Sequence, residues 1–164
     1  VANDNLRRYM QQMADMLKGI YADRMKFAGF EDLVLQRGCS HQPAPLPKGR
    51  WFSRQRECYR NAYNNVMKDP DKYVYVEGFM LCVIPIQHAW FAPKDDTSLV
   101  YDSTVRNGSE YLGIPFELEY VHKIMLKANC YGVMDQPGLH FPLLTGEDDI
   151  DKVMYQGRVL SARS

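Results

Sequence analysis

The chain lacks an excess of charge of either sign: 20 lysines and arginines balance 20 aspartates and glutamates. Neutralising a phosphate backbone needs a basic surplus, so no nucleic-acid partner is expected. The local cluster Lys48, Arg50, Arg54, Arg56 and Arg60 reads as a solvated face. Long hydrophobic runs are also missing. The longest, FMLCVIPI at 79–86, is far too short for a bilayer and suits a buried strand. The opening VANDNLRRYM is polar and charged, with no apolar signal segment, so the expectation is a cytoplasmic protein without membrane contact. Cysteine is sparse. Four thiols, Cys39, Cys58, Cys82 and Cys130, do not make a disulfide framework. Metal ligands of the right type exist in Cys39, His41, His122, Cys130 and His140, but no CxxC or HExxH pair organises them. No phosphate-cradling glycine motif occurs. Neither a metal nor a cofactor is expected. The acidic run GEDDID fits negative charge at a helix start better than a cation loop.

What is present is enough apolar material, 46% of residues with 12% aromatic, for one folded domain with a proper core. Apolar steps of three and four (Leu6, Met10, Met13, Leu17, Ile20, Tyr21) predict a helix over 4–28, capped by Asp4 and ended by Gly29. Residues 30–38 are ambiguous. Three prolines and two glycines predict a loop over 38–50. Ser53 is the expected N-cap of a second helix with an apolar stripe of Tyr59, Ala62, Tyr63, Val66 and Met67, stopped at Asp69-Pro70. Alternation then predicts a strand at 72–80, and MLCVIPI, QHAWFA and SLVYD continue as strand material. PKDD at 93–96 is a turn, giving a meander of about three antiparallel strands. Residues 111–116 form a short extended piece. A helix follows over 117–128, closed by Asn129 and Gly132, and Thr145 caps a last short helix at 147–156.

Three residues carry the chemistry: Cys58 in RQRECYRNAY, His88 in IPIQHAWFA and Asp102 in SLVYDSTV. A thiol needs a nearby imidazole to hold its proton, and the imidazole needs a carboxylate to fix its tautomer and ring plane. Cys58 is expected in the early turns of its helix, where unpaired N–H groups carry roughly half a positive charge and favour the thiolate. The same groups can donate to a developing oxyanion. Taken singly, a strand histidine is usually structural and an aspartate at a strand end usually caps a turn. Together, on successive strands whose facing Cβ atoms lie about 4.5–5.5 Å apart, they make a natural hydrogen-bonded pair.

These contexts resemble the transglutaminase-like, papain-related cysteine enzymes, and short bacterial and phage proteins with the same core. The resemblance rests on Cys58, the Tyr75–Phe79 segment YVEGF, His88-Ala89-Trp90 and Asp102-Ser103-Thr104, and covers about residues 51–105. It implies an α+β fold with a papain/transglutaminase-like core: a nucleophile helix packed on an antiparallel sheet, with an extra N-terminal helix and C-terminal helices. The expected division is a single domain, 1–164, with an N-terminal helix and Pro-rich loop at 1–50, a catalytic core at 51–105 and a C-terminal extension at 106–164. It also implies Cys58 as nucleophile, His88 as general base and then acid, and Asp102 as orienter, in an amide or peptide hydrolase or a transamidase working through a thioester. An upstream glutamine often supplies the second oxyanion donor in that family, which makes Gln55 and Gln42 candidates, with the Trp51 indole as a third. Trp90 and Tyr101 are candidate cleft residues. The expected partner is a protein, peptide or amide substrate. The alternative is a non-enzymatic protein-binding module on the same fold, binding through the Met-rich first helix or the Pro-rich loop.

Overall fold

The computed structural model describes residues 4–21 and 23–157. Residues 1–3 of the polar N-terminus, residue 22 within the expected first helix, and residues 158–164 of the C-terminal extension lie outside the described residues. The fold is mixed α+β: a curled five-stranded sheet with helices packed on it. Helix α1 (Asn5–Tyr21) and helix α2 (Phe30–Arg37) come first, then strand β1 (Cys39–Pro43), helix α3 (Cys58–Met67), the hairpin of β2 (Tyr73–Leu81) and β3 (Pro85–Pro93), the two-residue β4 (Leu99–Val100) and β5 (Glu110–Phe116). Helix α4 (Leu118–Ala128), a single 3-10 turn at Pro137–Leu139 and two one-turn helices, α5 (Pro142–Thr145) and α6 (Ile150–Val153), complete it.

The strand order is β3-β2-β5-β1-β4, antiparallel except for the parallel pair β1 and β4. Tyr101, just after β4, bridges back to Phe91 on β3, so the sheet curls towards closure. Alternation gives it two apolar faces. One carries Tyr73, Tyr75, Phe79, Phe91, Leu112, Ile114 and Phe116 under the helices, in the main core. The other gathers Val74, Val76, Met80, Trp90, Ala92, Val100 and Tyr111, drawn from strands alone.

Several expectations change. Residues 38–50 are not all loop: β1 forms there, its Cys39, Ser40 and His41 pairing with Gly113, Leu112 and Tyr111 of β5. The prolines cluster after this ladder, where no further antiparallel donor is needed. β5 is no isolated piece but lies in the middle of the sheet, so strands come from all three stretches of the expected 1–50, 51–105 and 106–164 division. The apolar run at 79–86 is broken by the hairpin turn, which leaves Val83 and Ile84 exposed at 88% and 65%. The first helix stops at Tyr21, and Gly29 instead precedes α2. Asp149, not Thr145, caps α6 by accepting from the Asp151 amide at 3.1 Å.

Candidate functional site

Residues 51–57 set the position of the thiol. They stay non-helical, so α3 begins at Cys58, with Glu57 as N-cap rather than Ser53. Arg56 sits in the left-handed region at φ 65°, a conformation that costs a non-glycine residue about 1–2 kcal/mol and turns the chain into the helix. No side chain caps α3, so its first-turn N–H groups stay available around Cys58. Ser53 instead donates its amide to the Ser103 carbonyl at 2.8 Å, tying this approach to the segment after Asp102.

The buried face of α3 is rotated from the expected stripe. Cys58, Asn61, Ala62, Asn65 and Val66 point inward, while Met67 is 41% exposed. The asparagines explain the rotation. Asn61 Nδ2 donates to the Arg54 carbonyl at 2.7 Å and to Thr104 Oγ1 at 2.9 Å. Asn65 Nδ2 donates to the Asn61 carbonyl at 2.9 Å and to Ser103 Oγ at 3.1 Å. These bonds lock α3 onto the Asp102-Ser103-Thr104 segment. The sequence reading missed both asparagines, whose signal was two amides four residues apart on one helix face.

His88 sits on β3 opposite Gly78 of β2, buried to 2% exposure. Its Nε2 lies 2.7 Å from Asp102 Oδ2, and its ring lines the same cleft as Cys58. Burial works against a charged ring, but the hydrogen bond and charge of Asp102, with Cys58 as a lesser neighbour, outweigh it and raise the His88 pKa from 6.5 to about 9. Asp102 is also buried, which by itself raises its pKa. The His88 bond and charge, with the Val105 and Thr104 amides at 2.9 and 2.8 Å on Oδ1, overcome this and hold it below the usual carboxylate value. Tyr111 adds a fourth donor, its hydroxyl 2.8 Å from Oδ2. It too was missed, since it comes from a strand read only as a short extended piece.

Cys58 and His88 open onto a cleft of about 850 Å³ lined by Phe52, Gln55, Arg56, Gln87, Val105 and Arg106 among others. Gln55 is the one oxyanion candidate that lines it. Gln42 lies on β1, paired with Leu99, in a separate pocket beside α1. Trp51 projects into solvent at 75% exposure. Trp90 is not a cleft residue: it is 1% exposed in the strand-only core, where its edge fills the space that a side chain at Gly113 would occupy. Tyr101 packs on Tyr73 and Phe91, also outside the cleft.

Glu77, within YVEGF, is fully buried and acts as a clamp. It accepts from the Tyr75 hydroxyl and from the amides of Val133 and Met134 at 2.8, 2.8 and 2.9 Å. Burial, opposed by these donors, pushes its pKa up to about 7. Among the described residues no three His, Cys, Asp or Glu side chains gather as metal ligands, and no helix is long and apolar enough to cross a membrane. No protein-family model, curated protein or solved structure matches the chain.

Proposed function

We propose that this protein is a cysteine-dependent acyl-transfer enzyme, an amide or peptide hydrolase or a transamidase, built on a papain/transglutaminase-like core. One observation carries the reading: a buried His88–Asp102 pair, 2.7 Å apart, whose imidazole lines one open cleft together with Cys58 at an uncapped helix start. Burial alone would keep His88 neutral. The Asp102 bond overcomes that burial and lets the ring hold a proton, as an imidazole that takes a thiol proton requires.

The thiol proton moves to His88, and the Cys58 sulfur attacks the acyl carbon. The C–S bond forms as the carbonyl electrons move onto oxygen, where the Cys58 N–H and Gln55 are placed to donate. Collapse expels the amine or alcohol, which takes the proton from His88, and leaves a thioester. Water, or an amine acceptor, then loses its proton to His88 while attacking the thioester, and Cys58 departs as the thiolate.

The test is acylation by p-nitrophenyl acetate. A burst of nitrophenolate stoichiometric with enzyme is expected, with the acetyl group found on Cys58 by peptide mapping. Cys58→Ala should abolish the burst and His88→Ala should slow it at least 100-fold, the order expected for a general base. Adding methylamine separates the two outcomes, N-methylacetamide from transamidation and acetate from hydrolysis. Acetyl spread equally over Cys39 and Cys130, with no effect of His88→Ala, sinks the reading.

A further inference from the structure

The cleft has an unbalanced charge. Arg56 reaches the cleft from the turn before α3 and Arg106 from the loop after Asp102, so two separate segments each bring an arginine to its lining. The remaining polar lining is neutral, chiefly the amides of Gln55, Gln87 and Asn107, and no aspartate or glutamate lines the cleft among the described residues. The neighbouring arginines behave differently. Arg54 and Arg60 both pair with Glu57, at 3.3 and 3.4 Å, whereas Arg56 and Arg106 form no ion pair among the described residues. Arg106 is nonetheless held in place, its guanidinium 3.7 Å over the Phe52 ring, which fixes the group without neutralising it. Arg56 is exposed, and its left-handed backbone sets the direction in which the side chain leaves the turn. The buried Asp102 carboxylate behind His88 offsets at most one of these two charges, so the cleft keeps a positive excess. Two guanidinium groups without ion pairs in the cleft that holds Cys58 are suited to planar, bidentate recognition of a carboxylate and concentrate anions there.

We infer that the site selects anionic acyl donors, amides or esters bearing a carboxylate beside the scissile carbonyl such as an acidic peptide segment, with Arg56 and Arg106 as the specificity-determining residues. This rests on Cys58 being the nucleophile of the proposed reaction.

Alkylation of the full chain by iodoacetate and iodoacetamide separates charge from reactivity. In both reactions the Cys58 sulfur forms a bond to the reagent methylene, the C–I bond breaks and iodide leaves with the electron pair. The reagents differ in their carboxylate, so the rate ratio reports anion attraction, and the iodoacetamide rate absorbs any change in thiolate fraction. At low ionic strength the iodoacetate-to-iodoacetamide ratio at Cys58 should exceed that of mercaptoethanol by about tenfold or more. Arg56→Gln and Arg106→Gln should each lower it about three- to fivefold. Salt at about 0.5 M should erase most of the excess. A ratio equal to that of mercaptoethanol, or one unmoved by both substitutions, overturns the selectivity while rapid iodoacetamide labelling leaves the nucleophile standing. A Cys58 inert to both reagents overturns the two together.

Discussion

Two buried imidazoles of this sheet have a cysteine beside them, and only one has a carboxylate behind its ring. In the first pair Cys39 Sγ lies 3.4 Å from His41 Nε2; in the second Cys58, at the start of α3, lines one cleft with His88. Both rings are 2% exposed, and both pack against Trp90, His41 edge-on at 5.3 Å and His88 stacked at 6.4 Å. The difference is what the rest of each ring meets. His41 faces two backbone carbonyls, Thr97 at 2.7 Å from Nδ1 and Gly113 at 3.3 Å from Nε2. Carbonyls accept a proton's hydrogen bond but carry no full charge, so burial wins: the His41 pKa falls and the Cys39 thiol is pushed up. His88 faces Asp102, and the same burial is overcome. A contact between cysteine and histidine is therefore not a nucleophile. Under the proposed function, the carboxylate behind the ring and the helix start at the thiol are what set Cys58 apart from Cys39.

The sharpest way to break this comparison is to make the second pair resemble the first. Asp102→Asn keeps the shape but removes the charge, and the amide cannot serve all four donors now satisfied by the carboxylate. Acylation of Cys58 should fall about 10²–10⁴-fold. Cys39→Ser should change it by less than about twofold, since that thiol sits on a strand outside the cleft. Equal losses in the two variants, read from the p-nitrophenyl acetate burst, would remove the distinction.

Stability against pH should separate the two histidines by sign. The His88 pKa is raised, so the pair with Asp102 contributes fully below pH 6.5 and is lost as pH rises through about 9. The 2.5-unit rise, from 6.5 to about 9, corresponds to on the order of 3 kcal/mol. The His41 pKa is lowered, so its contribution is present above pH 6.5 and lost as pH falls below that value. Urea unfolding from pH 5 to 10 should show wild type exceeding His88→Gln near pH 6, with the gap closing by pH 10. A gap that widens with rising pH would contradict the assigned ion pair.

The sequence revealed the Cys58–His88 pair and hid the Cys39–His41 pair for physical reasons. Cys58, His88 and Asp102 are chemically distinctive types, and the elements of the first two announce themselves locally: α3 by its three- and four-residue apolar steps, stopped at Asp69-Pro70, and β3 by the strand-like QHAWFA. His41 fell inside a proline-rich stretch whose strand exists only because β5, some 70 residues away, supplies the ladder. The same non-local pairing concealed Tyr111 and placed Trp90 in the core rather than the cleft. Asn61 and Asn65 were hidden differently. A stripe counted from apolar residues alone assigns amides to the solvent side, whereas here their partners on the 103–104 segment draw them inward.

Tyr111 gives the finest test, because it acts on the carboxylate and not on the imidazole. Its hydroxyl donates to Asp102 Oδ2, the same oxygen that holds His88. Tyr111→Phe removes that donor and leaves no buried polar group stranded on the phenyl ring, so the expected loss is about 1 kcal/mol of stability. Acylation should slow only about two- to fivefold, because the Thr104 and Val105 amides still orient the carboxylate. The direction of the pH effect is the informative readout. With one donor fewer, Asp102 concentrates more of its charge on the His88 bond and favours the imidazolium, so the alkaline limb should move up from about 9. Asp102→Asn should move it down. A downward shift in Tyr111→Phe would mean that the hydroxyl holds the Asp102 carboxylate in place and does not compete for its charge, and that this positioning is what distinguishes His88 from His41.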